Sequence, residues 1–177
     1  MRQIKLNRTP LMFLRRTMIA MFGAIALAAC APVQSAAQEG PAVITLSRTV
    51  CFGFCPAYRV TISSDGQVTY VGEAFVNVRG EQRATIPAAD VQRLLARFDE
   101  IGFEQLNDEY RSAATDMPTY TITLERDGRR KRVVDYGGPG VGMPASVREL
   151  QAEIDRVANT ARWVLRDGQP VRDRPEH

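Results

Sequence analysis

The chain of 177 residues contains one histidine, His177, and it is the last residue. With no histidine inside any segment that could fold, Ser-His-Asp and Cys-His nucleophilic catalysis lack their base, and histidine-ligated metal sites lack their ligand. Cysteine is sparse as well. Cys30, Cys51 and Cys55 are the whole set, short of the four nitrogen or sulfur ligands of a closed zinc site. Tryptophan occurs once, at Trp163. The longest apolar run, Thr17 to Ala29, has 13 residues, against the roughly 20 that a membrane-spanning helix needs.

Charge is unevenly placed. Residues 1–29 hold Arg2, Lys5, Arg8, Arg15 and Arg16 and no acid. Without them 18 basic residues face 20 acidic ones, so the net charge of +3 becomes −2. The basic balance belongs to the leader, and a nucleic-acid partner is not expected.

A basic stretch followed by a short apolar run has the form of an export signal peptide. The run ends in Leu27-Ala28-Ala29-Cys30, which resembles the lipobox of bacterial lipoproteins. The resemblance implies cleavage before Cys30, acylation of that cysteine, and membrane attachment through it. Ala31 in place of Asp resembles lipoproteins sent on to the outer membrane, so the expected location is its periplasmic face. Arg15-Arg16-Thr17-Met18-Ile19 partly resembles a twin-arginine signal, but Leu14 stands where Ser or Thr is preferred; ordinary Sec export is expected.

With Cys30 acylated, two cysteines remain, the number that one intramolecular disulfide uses in an oxidising compartment. They stand in Cys51-Phe52-Gly53-Phe54-Cys55-Pro56. Gly53 permits a tight reversal, and Pro56 biases Cys55 towards an extended exit into a strand; Phe52 and Phe54 are expected to flank the turn and pack on nearby apolar surface. Three readings follow. The preferred one is a structural disulfide, worth roughly 2 kcal/mol for so short a loop. The others are a redox-active thiol pair and a metal site. The C-x-x-x-C-P spacing resembles the copper motif of Sco-type metallochaperones, whose distal histidine has no counterpart here.

The remainder reads as a tether (30–41), one folded unit (42–166) and a Pro- and charge-rich disordered tail (167–177). Val43 to Arg48 forms a first strand. Tyr58, Val60 and Ile62 alternate with polar residues, as do Val68 and Tyr70. A three-residue Ser64-Asp65-Gly66 loop puts both apolar sets on one face, where a two-residue loop would separate them. Residues 74–79 and 82–86 read as a second hairpin around Gly80. A helix follows Pro87, with Val91, Leu94, Leu95, Phe98 and Ile101 on one stripe. Gly102 in the left-handed region then brings Phe103 against Phe98. Asn107 to Pro118, with Asp108, Glu109 and Asp116, reads as a solvated loop. Tyr120 to Tyr136 is a hairpin around Asp127-Gly128, its register open. Gly137 to Gly142 lacks the Gly-Lys-Ser/Thr of a phosphate loop and is a connection. Ser146-x-x-Glu149 fits a capping box for a last helix, with Val147, Leu150, Ile154, Val157, Ala161 and Leu165 on one face. Trp163 falls opposite: either the helix ends before it and the ring folds onto a loop, or it is exposed to a partner. The expected fold is α+β, an antiparallel sheet of about five to seven strands packed against two helices in one small domain.

The pattern Cys51-Phe-Gly-x-Cys55-Pro56-x-Tyr58-x-Val60-x-Ile62, then Asp65-Gly66-x-Val68-x-Tyr70, resembles a domain-of-unknown-function family of secreted bacterial proteins and lipoproteins. Gly102-Phe103, Asp116-x-Pro118-Thr119 and Arg162-Trp163 are also similar to it. The resemblance implies a recurring envelope domain and supplies no catalytic residue, metal or cofactor. The expected function is a lipid-anchored, non-catalytic binding or scaffold domain. Its contact surface is placed at a sheet face, at Arg129, Arg130, Lys131 and Arg132, or at Trp163, for an envelope protein or an anionic glycan or lipid. The alternative is a thiol–disulfide or metal-handling protein using Cys51 and Cys55.

Overall fold

The computed structural model describes residues 41–172. The expected leader, Cys30, most of the tether and the last five residues lie outside the described residues. The first three strands, β1 (Ala42–Arg48), β2 (Ala57–Ser63) and β3 (Gln67–Ala74), form an antiparallel meander. The three-residue turn sets the register: Ile62 faces Val68 and Val60 faces Tyr70, so all four side chains are buried on one face. Gly66 closes the turn at φ +89°, and a Cβ there would lie 2.1 Å from the Ile86 carbonyl oxygen. No L side chain fits that position.

β4 (Gly80–Thr85) pairs with β3. The second hairpin expected within 74–86 is therefore not formed: residues 75–79 are the connection, and residues from Gly80 return along β3. α1 (Ala88–Glu100) follows Pro87 and buries Val91, Leu94, Leu95 and Phe98. Gly102 takes φ +62°, and Phe103 meets the Phe98 ring edge-on at 4.8 Å. β5 (Glu109–Arg111) lies inside the segment expected to be a loop and pairs in parallel with β7 (Arg129–Tyr136). β6 (Tyr120–Arg126) and β7 (Arg129–Tyr136) are joined by Asp127-Gly128 at φ +54° and +73°. A two-residue turn of this kind fixes the open register, placing Ile122 opposite Val133.

The seven strands run β4-β3-β2-β1-β6-β7-β5. The sheet is mixed because of β5 alone. α2 (Ala145–Ala158) starts directly after Pro144 with no side-chain cap, so the Ser146–Glu149 capping box does not form. Nor does the helix continue to Leu165. Asn159 enters the left-handed region at φ +51° and ends it; a one-turn α3 (Ala161–Val164) follows. β8 (Leu165–Arg166) and β9 (Gln169–Pro170) then make a small two-stranded sheet, and Val171 is buried. The tail expected to be disordered from Asp167 is thus ordered to 172, because Asp167-Gly168 supplies another left-handed turn.

The fold is α+β, as the patterning implies: one small domain, a seven-stranded sheet with helices over one face. Among the described residues no helix lies on the other face. It carries Thr45, Thr61, Thr69, Thr121 and Thr123, and the Thr45 and Thr61 hydroxyls lie 3.3 Å apart. Hydrophobic on one side and hydroxyl-bearing on the other is the usual economy of an antiparallel sheet.

Gly72 matters for a different reason than a turn. Its missing Cβ is the space taken by the Val78 carbonyl oxygen, at 2.2 Å, and the Tyr70 hydroxyl, at 2.7 Å. Those two atoms hydrogen-bond each other at 3.3 Å, and residues 77 and 78 donate to the carbonyls of Val164 and Trp163. We expect Gly72→Ala to cost about 2–3 kcal/mol, in the range of overpacked cores, measured by chemical denaturation. A change under about 0.5 kcal/mol, the size of a surface substitution, would contradict this packing.

Candidate functional site

One end of the sheet gathers the turns that follow β1 and β7 and precede β2 and β6. There Cys51 and Cys55 form a disulfide with their Cα atoms 5.5 Å apart. The loop it closes is also tied down by its neighbour. Thr49 donates its amide to the Thr119 carbonyl at 3.0 Å and its hydroxyl accepts from the Thr119 amide at 2.9 Å. The Phe52 amide donates to the Asp116 carbonyl at 3.1 Å. A staple and three hydrogen bonds therefore fix a loop whose side chains point outward. Phe52 does not pack on apolar surface as expected: it is 89% exposed, and Val50 and Phe54 are each 49% exposed. The Phe54 ring meets Phe75 edge-on at 5.6 Å. Phe75 itself holds φ +53°, a costly conformation for an aromatic residue and one that surrounding structure must impose.

Beneath the loop lies a polar node. The Asp155 carboxylate, from α2, accepts from the Tyr58 hydroxyl at 2.6 Å and the Thr160 hydroxyl at 2.8 Å, and forms an ion pair with Arg48. Arg48 and Tyr58 face each other across β1 and β2, on the two strand ends from which the stapled loop leaves. The Arg48 guanidinium also sits 4.6 Å from the Tyr120 ring centre. From Tyr58 the aromatic contacts continue through Tyr70, at 5.6 Å, to Trp163, stacked on Tyr70 at 4.9 Å. Burial first, and then the Asp155 carboxylate, push the Tyr58 hydroxyl well above its ordinary value. It stays neutral and serves as a donor. A second node holds the adjoining end of β7: buried Asp135 accepts from Arg148 at 2.7 Å, Gln151 at 3.0 Å and the Gly138 amide at 2.9 Å.

The expected contact residues are distributed differently. Trp163 is only 8% exposed; the helix does end before it, but the ring packs on the sheet through Tyr70, not on a loop, and presents no surface to a partner. The basic run is divided by strand alternation, since Arg129 and Lys131 point to the helix side and Arg130 and Arg132 to the open side. Lys131 is consumed internally, donating to the Leu106 carbonyl at 2.6 Å and pairing with Asp108 at 2.5 Å. Arg130 pairs with Glu125 at 3.3 Å. This hairpin tip lies at the end of the sheet away from the stapled loop, because Arg126 faces Ala42 while Tyr120 faces Arg48. Asp108, Glu109 and Asp116 are not brought together: the first two pair with Lys131 and Arg111. Among the described residues no group of three or more His, Cys, Asp or Glu is placed to hold a metal ion. Sequence reasoning missed Asp155, Asp135 and Arg148; their helical spacing gives no sign of partners on distant strands.

A family model matches residues 42–158, from the first residue of β1 to the last of α2. It describes a domain of unknown function, DUF6438. The chain belongs to this family. The match covers both cysteines, the sheet and the two longer helices. The DUF6438 match stops short of Trp163, although the ring belongs to the same core. No curated protein matches the chain.

The node gives the DUF6438 domain a defined response to alkali. In the unfolded chain Tyr58 ionises near about pH 10, while in the folded one it remains protonated well above that. Its contribution is whole below about pH 10 and is lost as the pH climbs from there towards the raised folded value. Tyr58→Phe should cost about 2 kcal/mol at neutral pH, the order of a hydrogen bond to a charged group, and should flatten the decline measured by denaturation above pH 10. An unchanged alkaline slope would contradict this assignment.

Proposed function

We propose that this protein is a lipid-anchored bacterial envelope protein whose DUF6438 domain is a non-catalytic binding module, with the stapled loop as its contact surface. The Leu27-Ala28-Ala29-Cys30 pattern supports acylation at Cys30, and Ala31 supports the periplasmic face of the outer membrane. The observation that carries the binding reading is the loop itself. A phenylalanine 89% exposed is an unfavourable surface residue for a free domain, and here it is held outward by a disulfide and by hydrogen bonds to the next loop. Loops held on a rigid scaffold are where binding groups concentrate. Rigid presentation also lowers the entropy lost on association.

In this reading the Cys51–Cys55 bond is a clasp that displays Phe52 and does no chemistry. Native protein should therefore take no label from a thiol alkylating reagent. Replacing both cysteines with serine should lower the melting temperature, by the equivalent of roughly 2 kcal/mol. Ready reduction by a thioredoxin-range couple with stability unchanged would instead favour a thiol–disulfide role. A photo-crosslinker at position 52 should give adducts in intact envelopes, and one at position 129 should not. Cys30→Ser should leave an uncleaved precursor without attached lipid.

A further inference from the structure

We infer that the stapled-loop end of the sheet seats in the interface of a lipid bilayer, with Phe52 as the inserting side chain. The inference rests on the anchored-binding reading above and names what the loop binds. Among the described residues the exposed large hydrophobics are Val50, Phe52, Phe54 and Val141. Three belong to the stapled loop. The fourth lies in the turn after β7, at the same end of the sheet, since Asp135 faces Tyr120 and Tyr120 faces Arg48.

The same segments lack charge. Residues 49–58 and 137–144 contain no Asp, Glu, Lys or Arg, in a chain of which 24% is charged. The neighbouring loops carry one charge each, Asp116 in 112–119 and Arg79 in 75–79. The opposite end is the reverse: Asp65, Asp99, Glu125, Asp127, Arg126, Arg129 and Arg130 cluster around the β2–β3 and β6–β7 turns. A bilayer interface accepts apolar side chains and excludes uncompensated charge, so only one end is suited to it.

A protein socket would also accept a phenylalanine, but two features favour lipid. A protein–protein contact of ordinary size covers about 800 Å² on each partner and surrounds its apolar centre with a polar, hydrogen-bonding rim. This end offers four exposed apolar side chains, and its loops carry two charged residues, Asp116 and Arg79. It would adhere weakly alone, and a tether changes that by holding the loop at an effective concentration of about millimolar near the surface. The reach is sufficient. The eleven residues from Ala31 to Pro41 extend to at most about 36 Å at about 3.3 Å each. The seven residues of β1 span about 23 Å. A domain with its loop end down keeps Ala42 within range of the bilayer.

The test uses the full chain carrying Phe52→Trp, recovered from envelopes into vesicles of phosphatidylethanolamine and phosphatidylglycerol with and without doxyl-labelled lipid. Trp163, buried against Tyr70, is the constant background, and Arg129→Trp at the far end is the control. The indole at position 52 should shift to the blue and lose more than half its emission to the labelled lipid. The indole at position 129 should not respond. Emission from position 52 that stays red and unquenched overturns the inference, as does quenching at position 129 instead; crosslinking at position 52 to protein alone in envelopes does the same. Intact mass of the same sample reports the anchor separately. Quenching without an acyl mass upholds the inference and removes the anchor, and an acyl mass without quenching does the opposite.

Discussion

The Asp155 carboxylate is the contact on which the placement of everything else depends. It lies near the C-terminal end of α2 and binds Arg48 from β1, Tyr58 from β2 and Thr160 from the turn that ends its own helix. Those strand residues are the two posts of the stapled loop. Removing the carboxylate would leave Arg48 charged and largely buried, a far larger loss than that of a surface ion pair. It would also free the turn at Asn159 that swings Trp163 back onto Tyr70. One acid therefore couples helix docking, helix termination and the base of the exposed loop.

Above that node the disulfide has a local task. It closes five residues, a ring too small to restrain the chain at large. It brackets Phe52 and Phe54, two of the exposed side chains of the loop. The loop at 112–119 supports it from the side through backbone bonds. The result is an end richer in exposed apolar side chains and poorer in charge than the other. Its two ends meet their surroundings through different chemistry. The arginine-bearing β6–β7 tip, which on sequence grounds looked like the contact surface, is largely neutralised by Asp99, Glu125 and Asp108.

Where local rules governed, the chain was legible. Alternation and the need to bury Ile62, Val68, Val60 and Tyr70 together were enough to choose a three-residue turn and the correct register. The Gly102 contact between Phe98 and Phe103 followed from helix-end geometry in the same way. What could not be read was decided by partners distant in sequence. Asp155 meets Tyr58 across 97 residues and Arg48 across 107, and no periodicity encodes such a pairing. β5 joins the sheet because β7 leaves an open edge for Glu109–Arg111, not because three residues have strand character. Helix propensity continues past Ala158, and the termination at Asn159 is imposed by the Thr160–Asp155 bonds. Trp163 lies opposite the apolar face of an uninterrupted helix, and the break at Asn159 followed by the single turn of α3 is what carries its ring onto Tyr70. The cysteine pair was legible as a ring, while the outward direction of its phenylalanines was not.

On the proposed reading, the sulfur ring holds Phe52 outward on a base built around Asp155. Amide hydrogen exchange, compared in oxidised and selectively reduced protein, tests it most directly. The Phe52 amide, bonded to the Asp116 carbonyl, should be protected when the disulfide is intact and exchange freely once it is reduced, while β1 and β2 amides keep their protection. Equal exchange at Phe52 in both states would contradict it.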